Sequence, residues 1–213
     1  MKFYDYVQGI QSTVGKTVYQ LYALMLTKPF LEALEQVAPL SEGIKAAFAN
    51  AFKEVSYKRG TVLLKKGEPC KTAYFVVNGM ARLFDVSDER EMTNRFIGPK
   101  GVAISYYSYF SQKPSFEYID LLDDSTLLAI TKEDLSEIYL SFPELHKIMQ
   151  AKLEQSHIES EERAMVLRML SAKEKYAWMM EQYPAIFQKA SIEQIATFLG
   201  MSRETLSRIR SGK

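Results

Sequence analysis

Four side chains near the C-terminus, Arg203, Glu204, Ser207 and Arg208, are of types that can read DNA base edges. Arginine grips the paired acceptors of guanine, and glutamate accepts from the amine of cytosine. Ser202, Thr205 and Arg210 stand beside them as candidates for phosphate contacts, which hold a reading helix in place without carrying sequence information. Charged residues in this density also fit the ordinary solvated face of a helical hairpin. The pattern around them decides between the two readings.

That pattern is apolar at Ile195, Leu199, Met201, Leu206 and Ile209, with Ala196 inside the first half and Gly200 between the halves. Two short helices joined by a tight turn, a helix-turn-helix, give this spacing. Ala196 leaves room for a close helix crossing, Gly200 can take positive φ where the first helix stops, and Ser202 can cap the second. The second helix then turns Arg203, Glu204, Ser207 and Arg208 away from its apolar side.

The 213 residues, 47% hydrophobic and 25% charged, suit one large domain or two modest ones. The apolar run from Val18 to Leu26 is interrupted by Gln20 and is too short for a membrane span, and the N-terminus lacks the order of a secretory signal. A cytoplasmic protein without a membrane partner is expected. The single cysteine, Cys70, excludes an internal disulfide and any zinc or iron–sulfur site built from several cysteines of one chain. The two histidines, His146 and His157, fall in a helical stretch, so metal-dependent jelly-roll chemistry lacks its ligands and haem ligation is disfavoured against plain solvation. No acid–base pair or activated nucleophile can be placed, and no enzyme is expected. A net charge of +1 excludes indiscriminate coating of nucleic acid and favours a dimer, in which phosphate contacts double.

Four segments follow from periodicity. Residues 1–28 read as an N-terminal helical extension with apolar Val7, Ile10, Val14, Val18, Leu21 and Met25. Residues 29–140 begin with helices and then change to period two, with strands near Val55, Thr61–Leu64, Tyr74–Val77, Ala81–Phe84, Thr93–Ile97, Val102–Ile104, Glu117–Leu121 and Thr126–Ile130. Asn78-Gly79 between two apolar runs reads as a hairpin. Short strands at this spacing argue for an antiparallel roll or barrel. Residues 141–170 form a long helix, opened by Ser141 and Glu144 as a capping box and carrying Leu145, Met149, Leu153, Ser156, Ser160 and Leu167 on one face. That face suits a dimer seam or, being weakly apolar at its middle, a solvated spacer. Residues 171–213 hold a helix with Trp178, Met179 and Met180 as core, then the helix-turn-helix.

Helices, a β-roll, a long helix and a C-terminal helix-turn-helix, in that order, resemble the Crp/Fnr family of bacterial transcription regulators over residues 29–213. The motifs are KRGTVLLKKGEP, YFVVNGMARLF, SFPEL and above all MSRETLSRI. The resemblance implies an α+β chain with a cyclic-nucleotide-binding-like jelly roll, a dimerisation helix and a DNA-binding domain. It implies a homodimer on double-stranded DNA, with RNA polymerase as a candidate further partner. Arg203, Glu204 and Arg208 match the reading residues of the cyclic-AMP receptor type, and Glu204, Ser207 and Arg208 those of the Fnr type. Both types imply a palindrome with TGA-containing half-sites. The sequence stops directly after the reading helix, so the β wing of many members is not expected.

The ligand side departs from the family. The family's cassette holds a glutamate for the ribose and an arginine for the phosphate, and the matching positions here are Ser105 and Ser115. A buried phosphate without a cation is strongly disfavoured, and Glu117 would add repulsion. Cyclic AMP and cyclic GMP are therefore not expected, and no cofactor is. The pocket positions Ser105, Tyr106, Tyr107, Ser115, Phe116 and Tyr118 suit an uncharged ligand, or aromatic rings fill the space themselves. A reading from another class remains: a ligand-binding or interaction module whose C-terminal helices dock a partner protein.

Overall fold

The computed structural model describes residues 13–88 and 90–212, with side chains from Leu21 onward. Helix α1 (Thr13–Glu35) runs without interruption past residue 28, with Pro29 inside it. The division drawn there from sequence is thus not a break in the backbone. Leu31 and Leu34 of α1 are buried together with Ile44 and Phe48 of α2 (Glu42–Ala51), and the Phe30 ring meets those of Phe48, Phe52 and Phe75 edge-on. Val7 and Ile10 lie outside the described residues.

Eight strands follow: β1 (Lys53–Tyr57), β2 (Val62–Leu64), β3 (Thr72–Asn78), β4 (Ala81–Ser87), β5 (Arg90–Ile97), β6 (Val102–Ala103), β7 (Tyr118–Leu121) and β8 (Ser125–Thr131). They make two antiparallel four-stranded sheets, β1-β8-β3-β6 and β2-β7-β4-β5, whose facing sides share Val76, Leu83, Ile119, Leu121 and Leu127, while Phe75 and Leu128 turn to the helices on the outer side. Alternation sends one set of residues to this interior and the other outward. Helix α3 (Tyr106–Ser111) lies between β6 and β7.

The Asn78-Gly79 turn does not close a hairpin, because β3 and β4 belong to different sheets and the turn carries the chain from one to the other. Glycine is required there for two reasons: φ is +100°, and an added Cβ would sit 2.8 Å from Ser125 Cα. The paired hairpin is β4–β5, in register from Ala81 with Ile97 to Ser87 with Arg90, and Asp88 after β4 takes φ +49°.

Beyond the roll, α4 (Lys132–Ser141) precedes the long helix α5 (Leu145–Met169). The capping box expected at Ser141 is absent: Ser141 ends α4 and donates to Glu137 O, while α5 starts after Glu144 without a side-chain cap. Boxes do form at Ser171/Glu174 and Ser191/Gln194, at the starts of α6 (Ala172–Gln182) and α8 (Ile192–Phe198). Between them lies α7 (Ile186–Lys189), and α9 (Arg203–Arg210) closes the chain.

The C-terminal helices bury Met179, Ile186, Ile195, Ala196, Leu199 and Leu206, and this core continues onto Met80, Phe96 and Leu122 of the roll. Trp178 is half-buried within it, whereas Met180 is largely exposed and not part of it. Among the described residues no helix is long and apolar enough to cross a membrane.

Candidate nucleic-acid interface and roll interior

The local chemistry of the last two helices matches their sequence. Gly200 takes φ +63° where α8 stops, and Ser202 Oγ accepts from Thr205 N–H at 3.2 Å, capping α9. Ala196 and Leu206 have no exposed surface, so the helices cross closely. On the opposite side Arg203, Glu204, Ser207, Arg208 and Arg210 are exposed, with Thr205 half-buried beside them. The Glu204 carboxyl is held below the ordinary glutamate range by its own backbone N–H, the Ser202 hydroxyl and the nearby charges of Arg203 and Arg208. It therefore stands as a carboxylate between two guanidinium groups, a pattern of acceptor and donors on an exposed helix that suits a major groove.

This helix pair is anchored to the roll. Phe198 of α8 packs against Phe96 of β5 with ring centroids 5.1 Å apart, Thr197 Oγ1 accepts from Thr93 N–H at 3.3 Å, and Lys189 pairs with Asp123. The face of α9 that carries Arg203, Glu204, Ser207 and Arg208 remains uncovered in this arrangement.

In the cassette, Ser105 and Ser115 are buried and hydrogen-bond to each other at 3.2 Å, and Ser115 Oγ also donates to Glu117 O. Tyr106 reaches across to α5, its hydroxyl 2.9 Å from Ser156 Oγ. Tyr107 and Phe116 pack on each other at 4.7 Å and are exposed rather than interior. Tyr118 stacks on Phe84, on the face of its sheet opposite to Leu83. The six predicted pocket positions are thus not gathered around one space.

Two arginines on this sheet escaped the sequence reading as site residues. Arg82 of β4 lies on the outer face, where Asp120 takes Nε and Nη2 at 3.0 and 2.6 Å, Glu91 takes Nη1 at 2.7 Å, and Phe84 lies beneath the guanidinium. Burial opposes its charge, yet these carboxylates raise its pKa above the ordinary arginine value. Arg95 of β5 pairs in register with interior Leu83. It donates to Ile104 O at 2.7 Å and lies over the Tyr106 ring at 4.8 Å, with no carboxylate in ion-pair range among the described residues. Burial lowers its pKa and Arg163 of α5 adds like-charge repulsion, while Glu117 and Tyr106 act in the opposite sense. The signal was present in sequence: Arg95 is two residues from Ile97, and strand alternation gives them one face.

An open cleft of about 310 Å³ lies at the strand ends, lined by Lys66, Asp85, Ser87, Asn94, Phe116 and Glu117, where the Asn94 amide bridges the two carboxylates. Among the described residues no group of three or more histidine, cysteine, aspartate or glutamate side chains could hold a metal. His146 and His157 are both exposed on α5.

Of the predicted seam, Leu145 is wholly buried in the core of its own roll, Met149 packs on that core, and Ser156 holds Tyr106. Leu153 and Ser160 are exposed and Leu167 is half-buried. The larger exposed apolar positions on α5 are Ile158, Met165 and Met169.

Residues 54–142 match the cyclic nucleotide-binding domain family. No curated protein matches the sequence. Among solved structures, FixK2 from Bradyrhizobium japonicum superposes at TM-score 0.65 with 19% identity, over 76% of this chain and 83% of that one. The c-di-GMP-responsive global regulator CLP from Xanthomonas campestris gives TM-score 0.64 at 17% identity, covering 81% and 91%. A protein from Eubacterium rectale assigned to the Crp/Fnr family of transcriptional regulators gives 0.64 at 19%, covering 81% and 83%. Residues 54–142 are therefore similar to the cyclic nucleotide-binding domain family, and the chain shares its fold with solved structures that include a protein assigned to the Crp/Fnr family.

Proposed function

We propose that this protein is a sequence-specific DNA-binding transcription regulator that acts as a homodimer on a palindromic site, with a sensory roll that does not take cyclic nucleotides. The observation that carries the reading is the state of α9: its apolar side is buried and its N-terminus capped, while Arg203, Glu204, Ser207 and Arg208 project into solvent. In a dimer the two copies would meet successive major grooves roughly 34 Å apart, with Arg208 on guanine, Glu204 on cytosine, and Ser202, Thr205 and Arg210 toward phosphates. The exclusion of cyclic nucleotides rests on Ser105 and Ser115, which satisfy each other where the family has a glutamate and an arginine.

Selection of bound duplexes from a random DNA pool, followed by gel-shift titration across salt, tests it. A palindromic motif whose affinity falls steeply with salt is expected. Absence of any enriched motif, or capture of a protein partner by α9 without DNA affinity, overturns it. Micromolar calorimetric binding of cyclic AMP or cyclic GMP would overturn the sensory part alone.

A further inference from the structure

The cleft at the strand ends brings both signs of charge around one open space of about 310 Å³. Its lining holds the ammonium of Lys66 and the carboxylates of Asp85 and Glu117, none of them in an ion pair among the described residues. Apolar Val86 and Phe116 complete the wall. The carboxylates are held in place, because Asn94 is the residue that the β5 bulge leaves unpaired and its amide donates to Asp85 Oδ2 at 3.4 Å and to Glu117 Oε2 at 3.3 Å. Bulges re-aim a side chain in this way and recur beside functional sites. The Glu117 N–H donates to buried Ser115 Oγ at 3.1 Å, so a cassette serine fixes the backbone beside the cleft without lining it. Phe116 is 64% exposed and is backed by Tyr107, with ring centroids 4.7 Å apart. Glu117 also attracts Arg95, which lies outside the lining and beyond ion-pair range.

We propose that this cleft binds a free amino acid with a cationic side chain, of the arginine or lysine type. The charges of such a ligand mirror those of the lining: its α-carboxylate meets Lys66, while its α-ammonium and side-chain cation meet Asp85 and Glu117. A neutral amino acid leaves one carboxylate unanswered, and a diamine leaves Lys66 unanswered. The alkyl stem packs on Val86 and Phe116, where the ring adds cation–π attraction for the charged end. The space falls within the range of small-ligand pockets, roughly 300 to 1,000 Å³. Neither the cassette serines nor any residue of α5 lines it, so the site is distinct from the space between the roll and the long helix. It goes beyond the regulatory reading and stands on the cleft alone.

The test is calorimetric titration of the full chain with L-arginine and, separately, with L-lysine, at constant ionic strength and without DNA. Saturable binding of at least one is expected, weakened about tenfold or more in Lys66→Gln, Asp85→Asn and Glu117→Gln but unchanged in Lys113→Gln, which lies outside the lining. Agmatine lacks the carboxylate, so its weaker binding should be indifferent to Lys66→Gln. Arginine alone or lysine alone identifies the side chain, and either supports the site. Should Glu117→Gln fail to fold, exposed Lys66→Gln and half-buried Asp85→Asn decide. No saturable binding, binding that these variants retain, or L-alanine bound as tightly as L-arginine overturns the proposal. Because DNA is absent, a negative result leaves the DNA-binding reading intact, and failure of the duplex selection leaves this site intact.

Discussion

Thr197 of the helix-turn-helix and Thr93 of the roll are hydrogen-bonded although 104 positions apart in sequence: Thr197 Oγ1 accepts from Thr93 N–H at 3.3 Å and lies 3.3 Å from its hydroxyl. The contact sits beside the Phe96–Phe198 pair and joins two parts of the chain that each have their own apolar core. The roll and the C-terminal helices are thus joined by packed side chains.

Replacing Thr197 by valine keeps the shape and removes the acceptor from a half-buried N–H. A loss of about 1 to 3 kcal/mol is expected, the desolvation cost of a buried donor left unpaired. Urea unfolding measures it, and phenylalanine-to-leucine exchange at Phe198 should add to it.

Asp123 carries the pH dependence of the same contact. Its hydrogen bond to Lys189, the largest cause, holds its pKa below the ordinary aspartate value of 3.8, with burial opposing. The folded carboxyl is thus the stronger acid, so its stabilisation is fully present above the unfolded value and is lost as pH falls through the folded one. Faster hydrogen exchange in α8 below about pH 4 is expected in the wild type, with a smaller pH effect in Asp123→Asn.

Arg208→Ala should cost roughly 1 to 3 kcal/mol per half-site and relax selectivity at one base pair. Duplex selection on the variant reads this directly, and an unchanged motif would remove Arg208 from the reading set.

For the dimer, Ile158 and Met165 are exposed apolar residues one heptad apart on α5. Ile158→Glu combined with Met165→Glu should shift sedimentation to the monomer without lowering thermal stability of the roll. Leu145→Ala, by contrast, should destabilise the subunit itself by about 2 to 5 kcal/mol, since that side chain is fully enclosed in its own core.

The helix-turn-helix was legible because its determinants are local. Gly200, Ser202 and the apolar spacing act within a few residues, and the same holds for the strand runs. The Asn78-Gly79 turn was misread because its flanking strands pair with distant β8 and β7, a choice no local dipeptide encodes. Ser141 was misread because both ends of adjacent helices compete for it, and α4 holds its hydroxyl.

Sequence alone therefore determined the order of elements, the capped reading helix and the loss of the cassette charges, all set by periodicity and residue chemistry. Tertiary structure decided which face of the sheet each charged side chain takes. A one-residue bulge at Asn94 turns Thr93 outward to meet Thr197 while leaving Arg95 facing Leu83, so one irregularity in β5 places both the domain contact and the interior cation. Such a slip reverses side-chain faces without altering composition, which is why only the paired strands reveal it.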